Sequence, residues 1–366
     1  MKITLIEAFF GGSHRQWAEG YRCHSRHQIQ LLTLPGRHWK WRMHGAAVTL
    51  GRQLSTRSPG LILASDMIDL TTLLALLPRH QGRPVTAMYF HENQITYPWS
   101  PADADVELQR NHHYGFINYT SALAADRVFF NSLYHCRAFL EALPAFLKQF
   151  PDYQETENIA RIEQKSAVLP LGLDLQSLDI DPLPEKPEAA VLLWNHRWEY
   201  DKDPETFFRL LFRLHEEAIP FYLIVLGESF QNRPAIFEEA RRRLATRILH
   251  FGYADSRETY ARLLWQADIL PVTSRQDFFG GSSVEAIYCN CYPLLPRRLA
   301  FPAHVPEADR GEHLYDTDEE LYRKLKLAIK KITSIRRQGG YRHFVAHYDW
   351  RRMAGVYDEE LKLMNS

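Results

Sequence analysis

DFFGGSSVEA, residues 277–286, stands between a predicted strand and a predicted helix, and it is the segment that decides the fold. The apolar residues 269–272 precede it as the end of a strand, and residues 284–288 follow it as a helix. A glycine pair at such a junction leaves backbone N–H groups without partners at the helix start, where the partial positive charge favours phosphate. We therefore expect the N–H groups of Gly281, Ser282 and Ser283 to bind the diphosphate of a ligand, and we assign Phe279 and Gly280 to the same binding site.

Two carboxylates flank this helix start, Asp277 before it and Glu285 about two turns inside it. Carboxylates repel a phosphate, so in this position they are better suited to accept hydrogen bonds from hydroxyl groups. Sugar hydroxyls fit that requirement. The segment therefore predicts a binding site for a nucleotide-sugar.

The composition predicts a two-domain protein without a strong overall electrostatic field. The chain has 366 residues, with 44 lysines and arginines balanced by 44 aspartates and glutamates, so nothing draws the whole molecule to nucleic acid or membrane. Its four cysteines match no zinc-binding spacing, which favours reduced thiols and a cytoplasmic location. No apolar run approaches about 18 residues, so we expect no membrane span.

Strands alternate with helical stretches along both halves of the chain, which predicts an α/β fold of two doubly wound parallel sheets with a cleft between them. We place an acceptor-binding domain at residues 1–173, a proline-punctuated linker at 174–189 and a nucleotide-sugar domain at 190–347. A last helix at 348–366 is expected to return towards the first domain. Ligands in such sheets lie beyond the carboxyl ends of the strands.

Arg197 and Lys202 follow the first predicted strand of the second domain. Two cations at a strand end could neutralise a diphosphate leaving group, the arginine with forked donors and the lysine with a compact charge. The alternative is a pair of surface cations that form ion pairs with the neighbouring acids Glu199, Asp201 and Asp203. Local sequence does not choose between the two.

The strand ends of the first domain carry Gly11-Gly12-Ser13-His14 and His91-Glu92-Asn93. The glycine pair predicts a tight turn that lets a substrate approach the backbone, with a helix from about residue 16. His91 could donate to a sugar hydroxyl, or it could simply tie down its loop. We assign no metal, because the three Asp-x-Asp pairs are explained by capping or solvation and the histidines lack a ligand spacing.

RHWKWRMH, residues 37–44, interleaves cations with two tryptophans. Cations contact phosphates while aromatic rings stack on unpaired bases, so the composition suits an RNA loop. The alternative is a helix with one buried tryptophan and exposed arginines. The candidate RNA-binding residues are Arg37, Trp39, Lys40, Trp41 and Arg42.

Several of these motifs resemble the retaining nucleotide-sugar glycosyltransferases of the GT-B fold. The resemblance lies in the order of Arg197 and Lys202, then Phe251-Gly252-Tyr253, then Asp277 and Glu285 with Phe279-Gly280 between them. That family usually has glutamate at both carboxylate positions, so Asp277 is a departure by one methylene.

More narrowly, the segments EAFFGGSH at 7–14, YFHENQ at 89–94 and DFFG at 277–280 resemble the tRNA-queuosine mannosyltransferases. The resemblance implies GDP-mannose as donor, the cyclopentenediol of queuosine in tRNA as acceptor, and retention of the anomeric configuration. It also implies that Glu285 binds the donor ribose, that Asp277 binds the mannose hydroxyls, and that Gly252 and Tyr253 bind the base. No cofactor, metal or obligate protein partner is expected.

The residue roles that follow divide between donor and acceptor. His91, Arg197, Lys202 and Asp277 are the catalytic candidates, Gly12 joins the donor site, and Ser13, His14, Glu92 and Asn93 join the acceptor site. Two alternatives remain open. One is a retaining GT-B transferase with another nucleotide-sugar and a lipid or polysaccharide acceptor, and the other is a non-catalytic RNA-binding module with a degenerate donor pocket.

Overall fold

Runs of consecutive buried residues form the central strands, as expected for parallel strands that helices cover on both faces. Leu61–Ser65, Thr86–Phe90 and Ala190–Asn195 are buried at every position. The computed structural model describes residues 1–54, 60–78, 82–100, 103–107, 112–228 and 234–364. It divides into two units, one formed by Met1–Leu173 with Tyr348–Ser366 and the other by Asp174–His347.

The first unit alternates strands with helices. In chain order its elements up to residue 168 are β1 (Lys2–Phe10), α1 (Gly12–His24), β2 (Gln28–Pro35), α2 (Trp39–Leu54), β3 (Leu61–Ser65), α3 (Leu70–Ala75), β4 (Thr86–Phe90), α4 (Ala104–Glu107), α5 (His112–Ala124), β5 (Arg127–Phe130), α6 (Leu133–Leu147), α7 (Asn158–Gln164) and β6 (Ser166–Val168). The strands form one parallel sheet in the order β2-β1-β3-β4-β5-β6.

The strand order of the first unit reverses at β1, which pairs with β2 on one side and β3 on the other. Loops leave such a switch point in opposite directions and open a crevice at the carboxyl ends of its strands. Gly11 and Gly12 follow β1, Asp66 follows β3, and His91 follows β4. The fold therefore brings segments that are distant in sequence to one edge.

The second unit repeats this plan. Its elements are β7 (Ala190–Asn195), α8 (Pro204–Glu216), β8 (Phe221–Leu226), α9 (Ile236–Arg243), β9 (Ile248–Gly252), α10 (Arg257–Gln266), β10 (Ile269–Pro271), α11 (Gly281–Tyr288), β11 (Tyr292–Pro296), α12 (Arg310–His313), β12 (Leu314–Tyr315), α13 (Asp318–Lys330), α14 (Ile332–Gln338) and α15 (Arg342–Val345). The sheet order is β12-β11-β10-β7-β8-β9. Here the switch point lies between β7 and β10, which precede residues 196–203 and 272–280 respectively.

The last helix, α16 (Trp350–Leu363), packs on the first unit. The Trp350 ring lies so close to Gly20 and Gly172 that a Cβ at either glycine would come within 2.0 and 2.4 Å of ring atoms. The buried carboxylate of Asp358 accepts a hydrogen bond from the Tyr21 hydroxyl at 2.9 Å. These contacts fix the end of the chain on α1.

Three local predictions differ from the structure. Helix α1 begins at Gly12 rather than near residue 16, because Gly12 takes a φ of 50° and the helix follows the turn at once. The single helix predicted at 319–335 is α13 and α14, separated at Lys331. Residues 174–189 belong to the second unit, where Leu175 and Leu178 are fully buried.

Among the described residues, none of the helices has both the length and the apolar character needed to cross a bilayer.

Candidate functional site

Helix α11 begins directly after Gly280, three residues earlier than the sequence predicted. Gly280 has a φ of 87°, and a Cβ there would also lie 3.1 Å from the Phe301 ring, so glycine is required on both counts. The first turn of α11 therefore contains the N–H groups of Gly281, Ser282 and Ser283. In an α-helix these groups have no partner within the helix, which suits them to an anion.

Lys202 and Asp277 meet at the switch point of the second unit. The Lys202 ammonium, largely buried, donates to the Gln276 carbonyl at 2.7 Å and lies 3.0 Å from Asp201 and 3.4 Å from Asp277. Burial disfavours its charge, but the two carboxylates outweigh that effect and raise the pKa of Lys202. Burial would likewise raise the pKa of Asp277, yet the Lys202 charge lowers it overall. Both groups therefore stay ionised near neutral pH.

Arg197 follows β7 on the surface side of this site. Its side chain is 47% exposed, and the guanidinium lies 3.1 Å from Glu199, so the ion pair that the sequence offered as an alternative is present. The exposure makes the guanidinium accessible to a ligand. Of the two cations predicted for the site, the structure thus buries Lys202 against Asp277 and leaves Arg197 accessible.

Glu285 is held by two residues that sequence reasoning missed. Arg257 lies 2.9 Å from one carboxylate oxygen, and the Tyr260 hydroxyl donates to the other at 2.8 Å. Asn195, at the carboxyl end of β7, donates to Tyr260 at 2.8 Å and to the Ser282 carbonyl at 2.9 Å. The position of Asn195 at a strand end was the available signal. Nothing local in sequence pointed to the two residues on α10.

His196 is a further buried residue of this site that the sequence did not single out. Its Nδ1 lies 3.4 Å from the Ser282 hydroxyl, while its buried Nε2 has no hydrogen-bond partner. Burial first, and then the charge of Lys202, lower the pKa of His196 from 6.5 to about 4. The imidazole is therefore neutral at physiological pH.

We expect His196 to make the protein acid-sensitive. Because its folded pKa lies below the unfolded value, its contribution to stability is present above pH 6.5 and is lost as the pH falls to about 4. The free energy of unfolding should fall by about 2–3 kcal/mol more over this range in the parent than in the variant His196→Asn. Urea unfolding of both proteins at pH 6.5 and 4.5 measures the difference, and parallel pH profiles would contradict it.

Gly252 and Tyr253 leave the carboxyl end of β9. Gly252 has a φ of 138°, a conformation that L side chains rarely adopt, and the Tyr253 side chain is 67% exposed. An exposed aromatic ring beside a bare backbone can stack on a planar base. This geometry is compatible with the role that the family resemblance implies.

In the first unit, Glu7, His14 and His91 form a buried cluster. His14 Nδ1 lies 3.0 Å from Glu7 Oε2, His91 Nε2 lies 4.0 Å from the same oxygen, and the two imidazole centroids are 4.2 Å apart. Burial opposes protonation of His14, but the charge of Glu7 prevails and raises the pKa to about 9. Burial, with the His14 charge, lowers the pKa of His91 well below its usual value.

This cluster is also the group of described residues whose donor atoms could hold a metal ion, since its ligand atoms lie within 4.8 Å of one another. The Glu7 carboxylate is already used, however. One oxygen accepts from the Phe9 N–H at 2.8 Å and the other pairs with His14. Two imidazoles and a carboxylate are reasonable zinc ligands, yet Glu7 and His14 are already paired with each other.

The other candidates of this unit differ in accessibility. Ser13 is exposed in the first turn of α1, and Glu92 is half-buried with an oxygen that accepts from the Gln94 amide at 2.9 Å. Asn93 is fully buried, and its side-chain oxygen accepts from the N–H groups of Ile95 at 3.1 Å and Thr96 at 2.9 Å. Asn93 thus shapes the loop that carries Glu92.

The tryptophan-rich stretch forms the start of α2, with its side chains in different environments. Trp39 is half-buried against the Trp99 and Tyr114 rings, whereas Trp41 is 63% exposed and lies against Gly45. Lys40 makes ion pairs with Asp103 and Asp105. We had predicted from the sequence that those carboxylates serve in capping or solvation. They reduce the positive charge that Lys40 can offer a phosphate. Arg37 is exposed, and Arg42 donates to the Pro35 carbonyl at 3.2 Å.

Comparison with solved structures identifies the fold. Sucrose-phosphate synthase from Thermosynechococcus elongatus superimposes with a TM-score of 0.70 at 16% identity, covering 100% of this chain and 99% of that one. HepE from Anabaena in complex with UDP and glucose gives a TM-score of 0.63 at 14% identity, with 99% of both chains covered. The fold is that of the GT-B glycosyltransferases, which confirms the predicted fold class.

Sequence comparison then gives the family. The tRNA-queuosine alpha-mannosyltransferase of Drosophila melanogaster is 34% identical over 335 residues, which cover 88% of this chain and 85% of that protein. The family profile described as tRNA-queuosine alpha-mannosyltransferase N-terminal matches residues 2–173. The chain belongs to the tRNA-queuosine alpha-mannosyltransferase family, as its motifs predicted.

Proposed function

We propose that this protein transfers mannose from GDP-mannose to the cyclopentenediol of queuosine in tRNA, with retention of the anomeric configuration. The observation that carries the proposal is the 34% identity to the Drosophila enzyme across most of both chains. The residues of both units fit the chemistry. GDP as the nucleotide rests on the family relationship rather than on a side chain of this chain.

The donor half of the reaction requires charge stabilisation on the departing diphosphate. Arg197, Lys202 and the first turn of α11 supply two cations and a set of backbone donors for it. We assign Glu285, which Arg257 and Tyr260 orient, to accept hydrogen bonds from the donor ribose. These groups make a metal ion unnecessary in the proposed mechanism, because the neutralisation that a metal would provide comes from the protein.

Asp277 is proposed to accept hydrogen bonds from the mannose hydroxyls. Lys202 keeps it ionised, and the Phe279 N–H donates to its other oxygen at 3.3 Å, which fixes the carboxylate. A carboxylate one methylene shorter than the usual glutamate is thus held at a defined position. In a front-face transfer the departing diphosphate oxygen takes the proton of the acceptor hydroxyl, so no side chain need act as a strong base.

The acceptor half is assigned to the first unit. His14, His91 and Glu92 lie at the carboxyl edge of its sheet, where hydroxyl groups of a small ring can be bound. Trp41 offers an exposed ring, and Arg37 an exposed cation, for the loop around the modified nucleotide. Since tRNA is used in the cytoplasm, we place the reaction there.

The function is tested with GDP-mannose labelled in the sugar. We expect label to enter total tRNA that contains queuosine and to be absent from tRNA of a queuosine-deficient source. UDP-glucose and lipid extracts serve as alternative donor and acceptor. Transfer to lipid but not to tRNA would contradict the proposal, and so would hydrolysis of the donor without transfer.

Replacing Trp41 by alanine should weaken tRNA binding by about 10-fold or more, because stacking on one base contributes roughly 1–3 kcal/mol. Binding of GDP should be unaffected, since Trp41 belongs to the first unit. Val48→Ala is a matched control, because Val48 is a 60% exposed apolar residue on the same helix. Filter binding of tRNA and titration with GDP measure both affinities. If the two variants lose tRNA affinity equally, Trp41 makes no specific contact with tRNA.

A further inference from the structure

Three carboxylates gather at the switch point of the first unit, and two of them are almost completely buried. Glu7 is 0% and Asp66 is 1% exposed, while Glu92 is half-buried beside them. Each comes from the carboxyl end of a different strand or the loop after it, namely β1, β3 and β4. The charges of all three act on His14, which lies among them.

The cluster holds three carboxyl groups around one imidazole partner, His14. Burying a carboxylate is costly unless a cation or hydrogen bonds compensate it. Glu7 has His14 as its partner at 3.0 Å, and Asp66 accepts from the His91 N–H at 2.8 Å. His14 therefore faces more than one carboxyl group.

A second observation is that two buried polar side chains in or beside the cluster lack hydrogen-bond partners. His91 has a side chain only 7% exposed, and its Nε2 points towards Glu7 from 4.0 Å without a hydrogen-bond partner. The Ser65 hydroxyl, fully buried next to Asp66, is also without a partner. Buried polar groups normally have partners, so these two call for a ligand that carries donors and acceptors.

The acceptor of the proposed reaction carries a matching charge. Queuosine joins its cyclopentenediol to the deazaguanine ring through a secondary amine, which is protonated at neutral pH. This ammonium lies next to the diol that receives the sugar. We propose that the carboxylate cluster of Glu7, Asp66 and Glu92 recognises the secondary ammonium of queuosine.

In this arrangement Glu92 contacts the ammonium, because it is the member of the cluster that a ligand can reach. The Glu7 carboxylate lies behind it in a region of low dielectric, where charges interact strongly. His91 Nε2 is left to bond a hydroxyl of the neighbouring diol. The cluster would therefore select the modified nucleotide by its charge and place its diol at the same time. This inference rests on the proposed function and names its specificity-determining residues.

The test compares two tRNAs whose 7-substituents differ in charge, one cationic and one neutral. One carries 7-aminomethyl-7-deazaguanine at the wobble position, a cation without the cyclopentenediol, and the other carries the neutral 7-cyano analogue. Neither has the diol, so both act as inhibitors of mannose transfer to queuosine tRNA. We expect the aminomethyl tRNA to inhibit at about 10-fold lower concentration, the effect of one charge-assisted hydrogen bond.

The preference should disappear in Glu92→Gln, while Glu141→Gln, an exposed acid elsewhere in the unit, should retain it. The ratio of two inhibition constants does not depend on how much of a variant is folded. Equal inhibition by the two tRNAs in the parent protein overturns the inference, even when queuosine tRNA is mannosylated normally. A failure of mannosylation itself would instead refute the proposed function.

Elemental analysis of the purified protein supplies the second arm of the test. A tightly bound divalent metal in one-to-one amount, lost in Glu7→Gln, would overturn the inference because the ion would take the donor atoms of the cluster. Metal-free protein that keeps the aminomethyl preference would support it.

Discussion

Arg197→Ala is expected to lower the rate of mannose transfer by about 10²–10³. Loss of one preorganised donor to a developing negative charge has an effect of this size. The charge on the departing diphosphate grows in the transition state, so turnover should fall more than the affinity for GDP. Folding should be preserved, because the guanidinium is 47% exposed and its ion pair with Glu199 contributes little. Turnover is measured at saturating donor, and the affinity for GDP is measured by titration.

Arg262→Ala is a closely matched control for this prediction. Arg262 lies on α10 of the same unit, is also 47% exposed, and is likewise paired with a glutamate, Glu258 at 3.3 Å. Its loss should leave turnover unchanged. If Arg197→Ala stays within a few-fold of the parent, or if both variants lose activity equally, Arg197 does not stabilise the leaving group.

Lys202→Met should reduce both turnover and stability. The catalytic loss is again about 10²–10³, because a cation next to the sugar-binding carboxylate is removed. In addition, Asp201 and Asp277 would keep their buried charges without a partner, which typically costs about 3–5 kcal/mol. Chemical unfolding and single-turnover transfer measure the two effects on one preparation.

A double variant separates the two effects of Lys202. Adding Asp277→Asn to Lys202→Met removes one of the stranded charges, so the unfolding midpoint should recover in part while turnover stays low. Full recovery of turnover in the double variant would show that Lys202 only stabilises the fold. Lys202→Arg keeps the charge on a bulkier group in a buried space, and we expect it to retain stability better than Lys202→Met.

Local patterns in the sequence predicted most of the architecture. Continuous apolar strands alternating with helices indicated two parallel sheets, and the glycine pair at 280–281 indicated a helix start that can bind an anion. These features depend on backbone preferences within a few residues, which is why sequence alone gives them. The boundaries were less well predicted: α1 and α11 both begin earlier than expected, because a glycine with positive φ ends the preceding turn immediately.

What the sequence determined by itself is therefore the fold class, the family and the strand ends where functional residues collect. The tertiary structure decided which of those residues touch. It placed Lys202 against Asp277, brought Arg257 and Tyr260 to Glu285, neutralised Lys40 with two aspartates, and assembled Glu7, Asp66 and His91 from three strands. Such contacts depend on the order of strands in a sheet, and strand order is set by packing across the whole domain rather than by local sequence.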